Sequence, residues 1–198
     1  SLDLRGMGET RSRLDVNASD FARYFGDYED AMTAVQMGRT LVGMRVRDIL
    51  RGLDLLAARP EVDPAKLSGL GRNTGAVPLL YAAAFDSRLR ALALENMLLS
   101  YDAVVNQAIH RQVFESIVPG ALEEYDLPEL VAAIAPRSVW LADPVSPVGA
   151  PASTAELRDS YRVAVKAFEL AGAPERIRLQ PARTAGEDAA RYYAGLIR

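Results

Sequence analysis

Cysteine is absent from all 198 residues, which excludes disulfides, thiolate nucleophiles and cysteine-bound metals. Histidine occurs once, at His110, so any chemistry needing an imidazole base has one source. Lysine is confined to Lys66 and Lys166, and every other basic residue is arginine. The net charge of −3 offers no basic surface for nucleic acid or for an anionic membrane, and neither is expected as a partner. No apolar run approaches the roughly 20 residues that cross a bilayer, and the first residues do not read as a signal peptide. Internal repeats, low-complexity tracts and sets of metal ligands are missing too, and no cofactor is expected.

What is present is enough apolar sequence, 49% of the chain, to build a core, read as one domain over residues 1–198. Leu2 to Leu4 reads as a short strand followed by a glycine turn, and Phe21, Tyr24, Phe25 and Tyr28 as loop with a short helix. Leu41, Met44, Val46, Ile49, Leu50, Leu53 and Leu56 recur at helical spacing, with arginine and aspartate assigned to the other face. Pro60 stops that helix. Strands are expected at Lys66–Leu70, Ala91–Leu94, Ser138–Ala142 and Ile177–Leu179. Helices are expected over Gly75–Phe85 and Leu127–Ile134, from a cap at Ser153 or Thr154 to about Ala171, and over Asp188–Ile197. Alternating strands and helices predict an α/β fold with a mostly parallel sheet flanked by helices.

The stretch that organises the rest is Leu67-Ser68-Gly69-Leu70-Gly71-Arg72-Asn73-Thr74-Gly75-Ala76-Val77. A strand runs into a Gly-x-x-x-Gly turn that opens onto a helix, the layout of a nucleophile elbow, G-x-S-x-G. Both glycines are expected because side chains there would collide with strand and helix. The central position, where a nucleophile belongs, holds Asn73. A carboxamide has no oxygen that attacks a carbonyl.

Four stretches together resemble the α/β-hydrolase superfamily, nearest to acetylxylan-esterase and prolyl-oligopeptidase-like bacterial esterases. They are Leu2-Asp3-Leu4-Arg5-Gly6-Met7-Gly8-Glu9-Thr10, Val46-Arg47-Asp48-Ile49-Leu50 with Arg59-Pro60-Glu61-Val62-Asp63, the elbow, and Ala135-Pro136-Arg137. In such enzymes a serine on the elbow is deprotonated by a histidine that an acid orients, and backbone N–H groups hold the oxyanion. The resemblance places the serine at Asn73, the acid in Asp143-Pro144-Val145-Ser146-Pro147, aligned best with Ser146, and the histidine within Gln180 to Glu187, where none occurs. All three roles look vacant. An aspartate nucleophile, used elsewhere in the superfamily, is not restored either, since Asn73 forms no ester intermediate and the histidine would still be missing.

The remaining candidates are Ser100, His110 and Asp143 for displaced chemistry, and Arg72, Asn73, Glu95 and Asn96 for binding a ligand at the carboxyl ends of the strands. Ser68 is expected inside a buried strand, His110 on a helix surface, and Glu187 as a solvated loop carboxylate. The leading expectation is a degenerate esterase domain, without serine-hydrolase activity, that binds a small ester or carbohydrate or acts as a scaffold. Its alternatives are a carboxylesterase using displaced residues, or an interaction subunit. The resemblance also implies three strands before Leu2, so the fold is expected to lack its first strands and to leave a sheet edge covered by a second copy, by a partner chain or by rearrangement of residues 5–40.

Overall fold

The computed structural model describes residues 2–10, 26 and 28–181. Helix α1 covers Tyr28–Gln36 and α2 Leu41–Ala57, followed by strand β1 (Ser68–Arg72) and helix α3 (Ala76–Phe85). Strand β2 (Ala91–Glu95), helices α4 (Tyr101–Val105) and α5 (Leu127–Ala133), and strand β3 (Ser138–Ala142) come next. Helices α6 (Thr154–Ser160) and α7 (Arg162–Leu170) lead to β4 (Ile177–Gln180). The four strands form one parallel sheet in the order β1-β2-β3-β4.

Strand alternation divides the sheet into two faces. Leu92 and Leu94 of β2 and Val139 and Leu141 of β3 join the hydrophobic core with α3, whose Ala76, Val77, Leu80, Ala82 and Ala83 have no exposed surface. The opposite face carries the cross-strand row Leu70, Ala93, Trp140 and Arg178, in which the Arg178 guanidinium lies 4.0 Å from the centre of the Trp140 ring. α3 packs on α2, α5, β1 and β2, and α5 packs on α7.

Arginines tie two of the four resembling stretches together and anchor a third to the end of α3. Arg5 donates from Nε to Asp48 Oδ2 at 2.8 Å, joining the first stretch to α2. Arg137 donates to the carbonyls of Ala83 (2.6 Å), Leu89 (3.0 Å) and Asp86 (3.1 Å), which satisfies the end of α3 and the approach to β2. The helices start where side chains supply a cap: Thr40 for α2, Asp126 with Glu129 for α5, and Ser153 with Glu156 for α6.

The structure corrects several expectations. Leu2 to Leu4 is not a strand: the Leu4 carbonyl takes the Met7 N–H and the Thr10 hydroxyl, and Asp3 takes the Glu9 N–H, so these groups close a loop. β1 pairs only with β2 among the described residues, which leaves Ser68 exposed and Leu70 52% exposed. The helix expected from Ser153 to Ala171 divides at Tyr161, whose buried hydroxyl donates to the Leu99 carbonyl at 3.1 Å. Tyr28 packs edge-on against Phe114, 4.8 Å between ring centres. Phe21, Tyr24, Phe25, Glu187 and the helix expected over Asp188–Ile197 lie outside the described residues.

Candidate functional site

β1 ends at Arg72, and the next residue, Asn73, has φ 51°, in the left-handed region. The turn is tight because helix and strand nearly touch. A Cβ on Gly71 would lie 2.7 Å from Ala76 Cα and 2.9 Å from the Gly75 oxygen. Gly75, expected to be equally crowded, is not: its backbone is ordinary (φ −82°) and the nearest atom to an added Cβ is Met7 Cε at 3.9 Å.

The same left-handed backbone recurs at Asn96 after β2 and at Asp143 after β3, each with φ 51°. Register pairs Arg72 with Glu95 and Glu95 with Ala142, so these three residues are the next position on three adjacent strands. The Asn96 N–H donates to Ala142 O (2.9 Å) and the Asp143 N–H to Gln180 O (3.0 Å), holding the strand ends level. Asparagine and aspartate accept this backbone at lower cost than other side chains with a Cβ.

A cleft of about 730 Å³ opens over these ends. Asn73, Thr74 and Asn96 line it from the strands, Met7 from the first loop, and Ser146 from the loop after β3. The expected binding residues therefore separate. Asn73 and Asn96 reach the cleft, whereas Arg72 and Glu95, one position earlier, do not line it. Instead Arg72 Nε meets Glu95 Oε2 at 2.6 Å across the strands, with Glu95 fully buried.

The segment after β2 adds Leu98, Val113, Glu115 and Ser116 to the lining. Two buried contacts fix it. Tyr101 Oη donates to the Ser116 carbonyl at 2.8 Å and lies 3.2 Å from Tyr81 Oη. Burial pushes both phenols above their usual range, so they stay protonated and able to donate. Glu115 Oε2 accepts from Arg45 Nη1 at 2.7 Å, and Arg45 Nε donates to the Arg5 carbonyl at 3.2 Å. Arg45, assigned from the sequence to the solvent face of α2, has no exposed surface. Its position was readable, because Leu41, Arg45, Ile49 and Leu53 follow one another at a stride of four on the buried stripe.

The other candidates are engaged elsewhere. Ser100 Oγ accepts the Ala103 N–H as the cap of α4 and lines a separate cleft of about 460 Å³ with Asp102, Asp126 and Glu129. His110 Nε2 lies 2.8 Å from the Val104 carbonyl oxygen, and no hydrogen bond joins it to Ser100 among the described residues. Asp143 is buried and does not line the larger cleft. The Ser146 hydroxyl accepts the Ala150 N–H at 3.3 Å within its own turn. Residues 182–187, where the resemblance seeks a histidine, lie outside the described residues. Among the described residues no group of three histidines or carboxylates is placed to hold a metal, and no helix is long and apolar enough to cross a membrane.

The fold of the chain matches that of solved esterases. A Bacteroides fragilis structure named as an acetyl xylan esterase superposes with a TM-score of 0.73 at 14% identity, over 95% of this chain and 47% of that one. The chain has a partial α/β-hydrolase fold. A glucuronoyl esterase from Caldicellulosiruptor kristjansonii gives a TM-score of 0.55 at 18% identity, covering 79% of this chain and 49% of that one. In sequence, the Bacillus subtilis protein YtaP, named as a hydrolase, is 27% identical over 101 residues, 50% of this chain and 34% of that protein. No protein-family model matches the chain. The chain thus spans between a third and a half of these relatives. Asn73 occupies the turn between β1 and α3, at the wall of the cleft.

Proposed function

We propose that this chain is an esterase-derived domain that no longer carries out serine hydrolysis and uses the cleft over its sheet to bind a small ester or carbohydrate. The observation that carries the reading is Asn73 itself: the strained elbow backbone is kept, at φ 51° in the cleft wall, under a side chain with no nucleophilic atom. Two further observations support it. The only histidine is engaged by the Val104 carbonyl and does not line the cleft, so it is not positioned to activate a serine there. Ser146, at the position aligned with the acid, has no carboxylate and caps a turn.

A domain of this kind retains what the fold builds at its strand ends, a cleft of small-molecule size with polar groups in its walls. The reading is tested with p-nitrophenyl acetate. Folded protein is expected to release p-nitrophenol no faster than the same protein heat-unfolded. Saturable turnover that disappears on unfolding would overturn it.

A further inference from the structure

We propose that the outer edge of β1 is an interface between two copies of this chain, which pair antiparallel about a twofold axis at Gly69 and join their sheets into one. The backbone directions set this out. The Leu67 carbonyl accepts the Arg90 N–H at 2.8 Å, so Leu67 points toward β2. Alternation along the parallel ladder turns Gly69 toward β2 as well, and aims the N–H and C=O of Ser68 and Leu70 outward. Among the described residues nothing takes up those outward groups, and β1 pairs with β2 alone. Ser68 is exposed, and about half of Leu70 is open to water.

The two edges of the sheet are built differently. β4 carries Arg178, exposed and stacked over Trp140, and Pro181 follows it; charge and proline are devices by which edge strands deter further pairing. β1 has neither along its middle. It reads Ser68, Gly69, Leu70, Gly71 and Arg72, and its single charge, at the last position, is drawn across to Glu95. A second copy fits this edge because the outward groups fall symmetrically about Gly69. With Gly69 opposite its counterpart, Ser68 exchanges a pair of hydrogen bonds with Leu70 of the copy, and Leu70 exchanges a pair with Ser68 of the copy. The two glycines meet where the backbones come closest, about 4.5 Å between Cα atoms, with no side chain between them. The two Leu70 side chains lie diagonally across the axis on the Trp140 face, within reach of each other, and cover one another. Lys66 and Arg72 of the copy are the like charges brought nearest, and each is already held by a carboxylate, Asp63 and Glu95. The pairing does not depend on what the cleft binds.

The test is solution mass by light scattering over a concentration series, with amide hydrogen exchange read at Leu70. The chain is expected to run at twice its own mass and to fall to once that mass on dilution, with slow exchange of the Leu70 N–H in the dimer. Leu70→Pro removes an outward N–H that the β2 ladder does not use, and Leu70→Lys sets a charge beside its own counterpart; each is expected to give a monomer. Should the proline variant fail to fold, the lysine variant carries the test. A monomeric parent with fast exchange at Leu70 would overturn the inference by showing the edge open. A monomeric parent with slow exchange would overturn it by showing that another part of the same chain covers the edge. A dimer that survives both substitutions in folded protein would overturn it by placing the contact elsewhere. Each of those results leaves the non-catalytic reading standing.

Discussion

Arg72 and Glu95 occupy paired positions at the ends of β1 and β2, and their side chains meet at 2.6 Å with Glu95 wholly buried and Arg72 about half exposed. The pair belongs to the sheet face, and by alternation it sets the next residues, Asn73 and Asn96, where they line the cleft. Truncating the exposed partner removes the Arg72 guanidinium from a buried carboxylate. Arg72→Ala is therefore expected to lower stability by about 1–3 kcal/mol in urea unfolding. A variant as stable as the parent would show that the pair contributes nothing to the strand ends.

The contact between Arg5 and Asp48 carries a pH dependence. Hydrogen bonding from the Arg5 guanidinium holds the Asp48 carboxyl below the usual carboxylate range. A group whose pKa is lowered on folding contributes stability above its unfolded value, about 4, and loses that contribution as pH falls through the folded value. Asp48→Asn should thus melt at a lower temperature than the parent near neutral pH, and the gap should shrink steadily below about pH 4. A gap of constant size across that range would contradict the assignment.

The elbow backbone makes its own prediction. Asn73→Ala places a Cβ without a compensating polar group at φ 51° and is expected to cost about 1 kcal/mol, whereas Asn73→Gly should be neutral or stabilising. Asn73→Ser restores the missing hydroxyl but no base, so its p-nitrophenyl acetate turnover should stay at the parent's level. Rapid turnover in that variant would mean that a base stands within reach of the elbow.

Tyr101 holds Ser116 from behind through the 2.8 Å bond to its carbonyl. Tyr101→Phe keeps the ring and removes the donor, leaving a buried carbonyl short of a partner, and should cost about 1–3 kcal/mol of stability. Unchanged stability in urea unfolding would show that the bond does not hold the segment after β2.

Local patterns in the sequence carried much of the fold. The apolar runs at Ala91–Leu94 and Ser138–Ala142, the cap at Ser153 and the Gly71 turn each follow from a few neighbouring residues, and each is found where those residues put it. What depended on distant partners was not legible. Leu2 to Leu4 has strand-like composition, but its backbone groups are taken by Met7 and Thr10, and its loop is tied to Asp48. Ser68 is exposed because β1 is a sheet edge among the described residues, which no periodicity within β1 could show. Nearness to a strand end suggests Arg72 and Glu95 as pocket residues, but there a shift of one residue turns a side chain from the cleft to the sheet face. Ser116 carried no signal, because its place in the cleft depends on Tyr101 and on the Arg45–Glu115 pair, far away in sequence.

The most direct test of the central claim is incubation of the folded protein with a fluorophosphonate, followed by intact mass measurement and peptide mapping. An elbow that keeps its backbone without its nucleophile predicts an unmodified mass under conditions that fully label a serine esterase run in parallel. A stoichiometric adduct on a single serine, lost when the protein is unfolded first, would contradict the account and identify the nucleophile it says is missing.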